Sequence, residues 1–190
     1  MEFKGLNINA IFWWIWGAYW LVSAIKVKKT KSSESRGQRI SHLLPLGICF
    51  LLLFSKGWDF LLLNERLWPE TEWIEYLGNA LNLTGLLFSF WARLHLGKNW
   101  SATVTLKEGH QLITSGPYRL VRNPIYTGIL WAMVGDSICL GKSRGPLAVI
   151  MASVAFIKKL QREERFLSSE FGAEFLKYKS RVKALIPFIY

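Results

Sequence analysis

Long apolar stretches separated by basic loops most constrain how this chain folds. A transmembrane helix needs about 20 predominantly apolar residues. The apolar stretches lie at residues 10–25, 40–63, 73–96, 126–140 and 146–157. The last two are shorter than a full span and are joined by the glycine-bounded segment 141–145, which favours a tight helical hairpin. The pattern predicts an all-α, polytopic membrane protein with about five transmembrane helices, folded as a single domain over residues 1–190.

The charges of the loops predict the orientation of these helices. Segment 26–39 holds six Lys or Arg and one Glu, whereas segment 64–72 holds one Arg and three Glu. By the positive-inside rule, segment 93–122 and the tail after residue 157 then lie in the cytoplasm. The tail is expected to form a helical cap that breaks at Gly172. Asp136 is expected near the outer surface.

Composition argues against several other classes of protein. The net charge of +11 is typical of nucleic-acid binders, but here the basic residues lie between apolar stretches, as membrane topology requires. Cys49 and Cys139 lie inside apolar stretches, and the histidines His42, His95 and His110 lack the spacing of metal ligands. We therefore expect no nucleic-acid partner and no metal, and we expect contact with membrane lipids. The absence of any Gly-x-Gly excludes a Rossmann fingerprint and a P-loop.

The link between the third and fourth helices is polar and rich in turn-forming residues. Asn123 suits the N-cap of the following helix, and Pro124 suits its first turn. Free backbone N–H groups at such a helix start can hold a carboxylate. The residues alone also allow a simpler interpretation, in which a capped helix is anchored at the interface by Tyr and Arg side chains.

Two acidic residues of the tail flank an apolar helical face. Glu163 and Glu164 border the stripe that Ile157, Leu160 and Leu167 form at helical spacing. A carboxylate in such a place needs a cationic partner. That partner is either a structural cation, with the nearby Arg residues of the link as candidates, or a bound ligand.

Several runs of sequence in the second half of the chain match a known family. They are Gly-Lys-Asn-Trp-Ser at 97–101, Gly-His-Gln-Leu-Ile-Thr-Ser-Gly-Pro-Tyr at 109–118, Arg-Asn-Pro-Ile-Tyr-Thr-Gly at 122–128, Glu-Glu at 163–164 and Phe-Gly-Ala-Glu-Phe-Leu-Lys-Tyr at 171–178. These motifs resemble those of the isoprenylcysteine carboxyl methyltransferases and the related phospholipid methyltransferases. The resemblance covers roughly residues 90–190.

The resemblance implies an enzyme that uses S-adenosyl-L-methionine in a cytosolic pocket roofed by the C-terminal helices. It divides the chain into three N-terminal membrane helices (1–96) and a cofactor-binding catalytic part (97–190). It implies that Glu163 contacts the cofactor, and we assign the cofactor's ammonium group as its partner. Lys159 stands where the family has a basic substrate contact, usually Arg. The other implied cofactor contacts are His110, Gln111, Leu112, Ile113, Tyr118, Asn123, Pro124, Ile125 and Tyr126.

The family's most familiar form has His where this chain has Asn123, so a titrating imidazole is not available at this position. An ionised carboxylate acceptor needs no general base, and no catalytic residue is assigned. The substrate is expected to be lipophilic and to enter from the bilayer, and its methylated group is left open between a carboxylate, a thiol and an amine. The alternatives are a membrane-embedded, NADPH-dependent sterol-type reductase and a non-catalytic membrane scaffold.

Overall fold

The computed structural model describes residues 8–24, 36–57, 62–97 and 112–190. These ranges contain α1 (Ile8–Ala24), α2 (Arg36–Phe54), α3 (Glu72–Leu96), α4 (Pro124–Leu140) and α5 (Arg144–Arg181), with short 3-10 helices at Leu62–Asn64 and Gly116–Arg119. No β-strand occurs in the described ranges, where an isolated bridge pairs Arg66 with Lys142. The all-α prediction with five main helices is confirmed for this part of the chain.

Within the described ranges, none of the helices combines the length and the apolar character that a bilayer crossing requires.

One predicted boundary is wrong. The second helix was expected to reach residue 63, but α2 ends at Phe54, shortly before Gly57 adopts a positive φ of 93°. Such a backbone conformation interrupts a regular helix. The second hairpin arm and the helix of the tail are continuous in α5, because residues 158–165 are strong helix formers.

The hairpin and the break in the tail are confirmed. Gly141 caps α4 in the left-handed conformation, with φ 64°, and Arg144 begins α5 three residues later. Pro146 lies in the first turn of α5, where a proline is well tolerated. Gly172 has φ 47° and ψ −121°, which are not helical values. It therefore separates a long arm of α5 from a short one.

Glycines bring α3 and α4 into backbone contact. Gly78 and Gly85 lie on one face of α3, and Gly128 and Gly135 lie on one face of α4, because seven residues make two helical turns. A Cβ atom added to Gly85 would lie 2.5 Å from the backbone nitrogen of Ala132, and one added to Gly128 would lie 2.5 Å from the carbonyl oxygen of Gly85. Small residues allow this approach, which increases dispersion contacts between the helices.

Asp136 lies in the interior of this bundle, one turn before the end of α4, and its predicted level near the outer surface of the membrane stays a prediction. Its side chain is 4% exposed. Its carboxylate accepts hydrogen bonds from Trp13 Nε1 at 2.7 Å and from Asn82 Nδ2 at 2.9 Å. The close approach of α3 and α4 places Asp136 against Asn82, and α1 covers both with its Trp13 indole. The buried carboxylate thus fastens α1 to the α3–α4 pair.

We expect Gly85→Ala to lower the free energy of unfolding by about 1–3 kcal/mol, the usual cost of overpacking. Gly17→Ala is the matched control, because a Cβ at Gly17 meets no atom within 4 Å. Alanine should leave stability there unchanged or raise it by up to about 1 kcal/mol. Thermal unfolding of both purified variants in detergent tests this. Equal stability of the two variants would contradict backbone contact between α3 and α4.

Candidate functional site

The short arm of α5 folds back beside the long arm. Lys179 Nζ lies 2.8 Å from Glu164 Oε2, although the two residues are fifteen positions apart. In a straight helix that separation would be about 22 Å, at 1.5 Å per residue. The non-helical backbone at Gly172 makes the reversal.

Arg122 joins the link to both arms of α5. Its Nε and Nη2 donate to Glu164 Oε1 at 2.9 and 2.6 Å. Its Nη1 donates to the carbonyl oxygens of Val182 and Lys179. The side chains of Arg122 and Glu164 are both 9% exposed, so water screens the pair weakly. Glu164 is therefore a structural carboxylate with cationic partners, one of the two alternatives that the sequence left open.

Hydrogen bonds to backbone carbonyl oxygens fix the end of the short arm of α5, and the chain after it, to the link and the start of α4. They run from Tyr178 Oη to Tyr118 O at 2.6 Å, from Arg122 N to Lys183 O at 2.8 Å, from Asn123 N to Ala184 O at 3.0 Å and from Thr127 Oγ1 to Leu185 O at 2.8 Å. We call this arrangement, residues 178–185 bonded to residues 118–127, the tail clamp. It holds the motif that begins α4 in one conformation.

Asn123 occupies the N-cap position of α4, and Pro124 is its first residue, as predicted. The side chain of Asn123 does not cap the helix, however. Its Nδ2 donates to Ala184 O at 3.1 Å. The Asn123 side chain therefore stabilises the tail clamp rather than the first turn of α4.

Three residues with predicted roles lie together where α4 meets α5. Tyr126 Oη donates to Glu163 Oε1 at 2.7 Å, and Lys159 Nζ lies 5.5 Å from the centroid of the Tyr126 ring. Lys159 is 9% exposed. The Tyr126 ring also stacks on Phe156, with centroids 4.8 Å apart. The buried Lys159 cation thus lies over the phenol ring of Tyr126, and the half-buried Glu163 carboxylate accepts a hydrogen bond from the ring's hydroxyl. We call these residues the Lys159–Tyr126–Glu163 group.

The remaining predicted residues have different surroundings. Tyr118 and Pro124 are buried, Ile125 packs against the hydrophobic core, and Leu112 and Ile113 are half-buried. His110 and Gln111 lie outside the described residues, so their predicted contacts stay predictions.

A cleft of about 490 Å³ opens beside the tail clamp. Its lining includes three cationic side chains and one carboxylate, with apolar or aromatic groups between them. The lining residues are Leu112, Thr114, Arg119, Glu174, Lys177, Tyr178, Arg181 and Val182.

The two buried tyrosines of this region stay protonated. Burial is the main cause that raises the pKa of Tyr118, and Tyr178 and Glu163 raise it further. Burial likewise raises the pKa of Tyr178. Neither phenol can then serve as a base at neutral pH.

His95 is a residue near the site that the sequence pattern did not single out. Its Nε2 lies 2.9 Å from Ser115 Oγ, and its ring stacks on Tyr118 with centroids 6.4 Å apart. Gly116 has φ 59°, and a Cβ there would lie 2.7 Å from His95 Cε1. Twenty residues separate His95 from Ser115, and nothing in their local spacing indicates the contact. The described residues contain no group of His, Cys, Asp and Glu that could hold a metal.

We expect Glu164→Ala to lower the free energy of unfolding by about 3–5 kcal/mol, because it leaves the buried Arg122 guanidinium without its carboxylate. Glu170→Ala is the control, since Glu170 is an exposed residue of the same helix and should change stability by less than about 0.5 kcal/mol. Chemical denaturation of both variants measures the difference. A loss below 1 kcal/mol for Glu164→Ala would contradict the role given to this ion pair.

Comparison with known proteins places the chain among methyltransferases. Residues 73–174 match the family model described as phospholipid methyltransferase. A probable protein-S-isoprenylcysteine O-methyltransferase of Oryza sativa subsp. indica is 30% identical over 134 residues, which cover 67% of this chain and 70% of that protein. The human protein-S-isoprenylcysteine O-methyltransferase is 28% identical over 180 residues, covering 90% and 60%.

The chain spans about 60% of the length of several curated relatives, such as isoprenylcysteine O-methyltransferase B of Arabidopsis thaliana at 61%. Among solved structures, the eukaryotic intramembrane Ras methyltransferase ICMT (isoprenylcysteine carboxyl methyltransferase) aligns with a TM-score of 0.53 and 24% identity, covering 80% of this chain and 51% of that one. This alignment shows a shared fold. The resemblance inferred from the motifs is confirmed: the chain belongs to the phospholipid methyltransferase family, together with the isoprenylcysteine methyltransferases.

Proposed function

We propose that this protein transfers a methyl group from S-adenosyl-L-methionine to a carboxylate of a lipophilic substrate. The Lys159–Tyr126–Glu163 group is the observation that carries the proposal. All three residues lie within the region that matches the family model. The group places a buried cation and a hydrogen-bonded carboxylate next to each other, and these two charges suit the two reactants.

The residues around the cleft fit S-adenosyl-L-methionine. Glu163 is not one of the residues that line this cleft, and the family resemblance alone assigns its carboxylate to the ammonium group of the methionine part. The basic lining residues Arg119, Lys177 and Arg181 suit its carboxylate. Leu112 and Val182 offer apolar surface for the adenine ring. A volume of about 490 Å³ lies within the range of about 300–1,000 Å³ that small-molecule sites occupy.

Lys159 favours an anionic methyl acceptor over an amine. A buried ammonium group attracts a carboxylate and repels a second ammonium group, and the effect is stronger in the interior than in water because the dielectric constant is lower. Its Nζ lies 5.5 Å from the centroid of the Tyr126 ring, which in turn stacks on Phe156. The cation would bind and orient a substrate carboxylate there. A thiolate acceptor would also pair with the Lys159 cation. Base treatment of the product distinguishes the two acceptors, because it hydrolyses a methyl ester and leaves a thioether intact.

The proposed reaction needs positioning more than proton transfer. The cofactor supplies an electrophilic methyl group on its sulfonium, and a carboxylate with a reference pKa of about 3.3–3.7 is already ionised at neutral pH. Attack neutralises both charges, so exclusion of water favours it. Tyr126 orients Glu163 through its 2.7 Å hydrogen bond, and the tail clamp fixes the backbone that carries Tyr126. These contacts supply the alignment on which such a transfer depends.

We also propose that the helical bundle is embedded in a membrane and that the site faces the cytoplasm. Large apolar side chains on several helices point away from the core, including Trp14 (80% exposed), Leu21 (75%), Leu87 (55%) and Ile150 (61%). Exposed apolar surface of this extent is typical of lipid contact or a protein interface. The basic segments at residues 26–39 and 158–183 support the orientation.

We expect Glu163→Gln to weaken the binding of S-adenosyl-L-methionine by about 1.5–3 kcal/mol, which is about 10- to 150-fold in Kd, because a charge-assisted hydrogen bond is lost. Glu170→Gln removes an exposed carboxylate of the same helix and should bind normally. Calorimetry of the detergent-solubilised variants measures both. Equal affinity of Glu163→Gln and Glu170→Gln for S-adenosyl-L-methionine would mean that Glu163 does not contact the cofactor. Binding of NADPH in place of S-adenosyl-L-methionine would support the reductase alternative.

We expect Lys159→Met to lower kcat/KM for a prenylated cysteine carboxylate by about 10- to 150-fold, because it removes the cation that holds the acceptor. The Kd of the cofactor should stay within about threefold of the wild-type value. The corresponding change in binding free energy is smaller than the 1.4 kcal/mol of a tenfold change. Lys158→Met is the control, since Lys158 is the exposed neighbour. Equal losses in the two variants, or unchanged activity of Lys159→Met, would contradict the proposed role.

A further inference from the structure

The chain after the tail clamp ends in an exposed apolar turn. Phe188 is 96% exposed, Ile189 74% and Ile186 51%. With Pro187 and Tyr190 they form a segment without a charged side chain, which we call the apolar tip (residues 186–190). Residues of this type in water carry a cost of about 25 cal/mol for each square ångström of exposed apolar surface.

The apolar tip has a defined conformation. The amides of Leu185 and Ile186 donate to Tyr190 O at 2.7 and 2.8 Å, and the amides of Ile189 and Tyr190 donate to Ile186 O at 3.1 Å. Phe188 adopts a φ of 66°, which is a rare conformation for a bulky residue. The turn therefore presents the Phe188 side chain outward at the cost of backbone strain.

Basic residues precede the apolar tip. Lys177, Lys179, Arg181 and Lys183 alternate along residues 177–183, and all four are exposed, whereas no acidic residue occurs between residue 177 and residue 190. Lys179 also pairs with Glu164, and Lys177 and Arg181 also line the cleft proposed for the cofactor, so Lys183 is the member of this band nearest the tip in sequence. A cationic band beside exposed aromatic and aliphatic side chains is the combination that attracts proteins to anionic membrane surfaces.

The apolar tip lies beside the end of the bundle at which α4 begins. Leu185 accepts a hydrogen bond from Thr127 in the first turn of α4, and Ala184 and Leu185 pack on Leu160 of α5. The tip therefore projects from the level at which α4 begins.

We propose that the apolar tip inserts into the headgroup region of an anionic bilayer and anchors the tail clamp at the membrane surface. Its occupant is lipid because the tip combines aromatic and aliphatic side chains with a cationic flank, which complements anionic headgroups. The depth is that of interfacial segments, about 5–10 Å into the boundary between headgroups and acyl chains. This inference rests on the membrane placement proposed above and adds a specific contact to it.

Fluorescent labels on single cysteines test the anchor. Phe188→Cys reports on the tip, Leu87→Cys on the exposed face of α3, and Glu170→Cys on an exposed polar position of α5, each in a Cys49→Ala and Cys139→Ala background. The labelled proteins are reconstituted in vesicles of phosphatidylcholine and phosphatidylserine. Spin-labelled lipids then quench the fluorescence, with the spin label either at the headgroup or near the end of the acyl chain.

We expect the label at residue 188 to be quenched more by the headgroup spin label than by the deep one, with an emission blue-shifted from that at residue 170. The label at residue 87 should be quenched more by the deep spin label. If residue 188 behaves like residue 170 while residue 87 is quenched, the anchor is wrong and the membrane placement stands. A blue-shifted label at residue 188 without lipid quenching would mean that protein covers the tip, which also overturns the anchor. If residue 87 is not quenched either, both proposals fail.

Discussion

The buried guanidinium of Arg122 is the interaction on which the rest of the site depends. It bonds to Glu164 on the long arm of α5 and to carbonyl oxygens of the returning chain, so one side chain holds three segments together. A buried ion pair adds little stability over a well-packed apolar replacement, but breaking it by removing one partner is costly. Its main consequence here is geometric. With Glu164 held by Arg122 and Lys179, the preceding residue Glu163 faces Tyr126 on α4.

The bundle beneath the site is organised by close backbone approach and buried polar contacts. The glycines of α3 and α4 let the two helices touch, and Asp136 then ties α1 to them through Trp13 and Asn82. Tyr126 lies in the first turn of α4 and Asp136 near its last turn. A helix is rigid, so the contacts that hold Asp136 also restrict the position of Tyr126. The position of the Tyr126 phenol is therefore set by the tail clamp above and by the helix contacts below.

Local patterns in the sequence predicted the features that depend on local chemistry. The turn residues around Gly141, the proline that begins α4 and the break at Gly172 are examples, because glycine and proline restrict the backbone wherever they occur. The buried contacts of Asp136 were not predicted, because they depend on helices distant in sequence. The same holds for the hydrogen bond from Asn123 to Ala184, which replaced the expected side-chain cap, since it requires the reversal at Gly172. The family motifs pointed to Tyr126, Lys159 and Glu163, but only the fold shows that they share one place.

The central claim is methyl transfer to a carboxylate beside Lys159. The most direct measurement uses the purified protein in vesicles with S-adenosyl-L-methionine carrying a labelled methyl group and a prenylated cysteine as acceptor. Treatment of the product with base separates the classes, because a methyl ester releases methanol whereas an N-methyl amine or a thioether is stable. The account predicts that the label is recovered as volatile methanol, and that little is recovered from Lys159→Met. Label that remains in the lipid after base treatment, or no transfer by a protein that binds the cofactor, would contradict it.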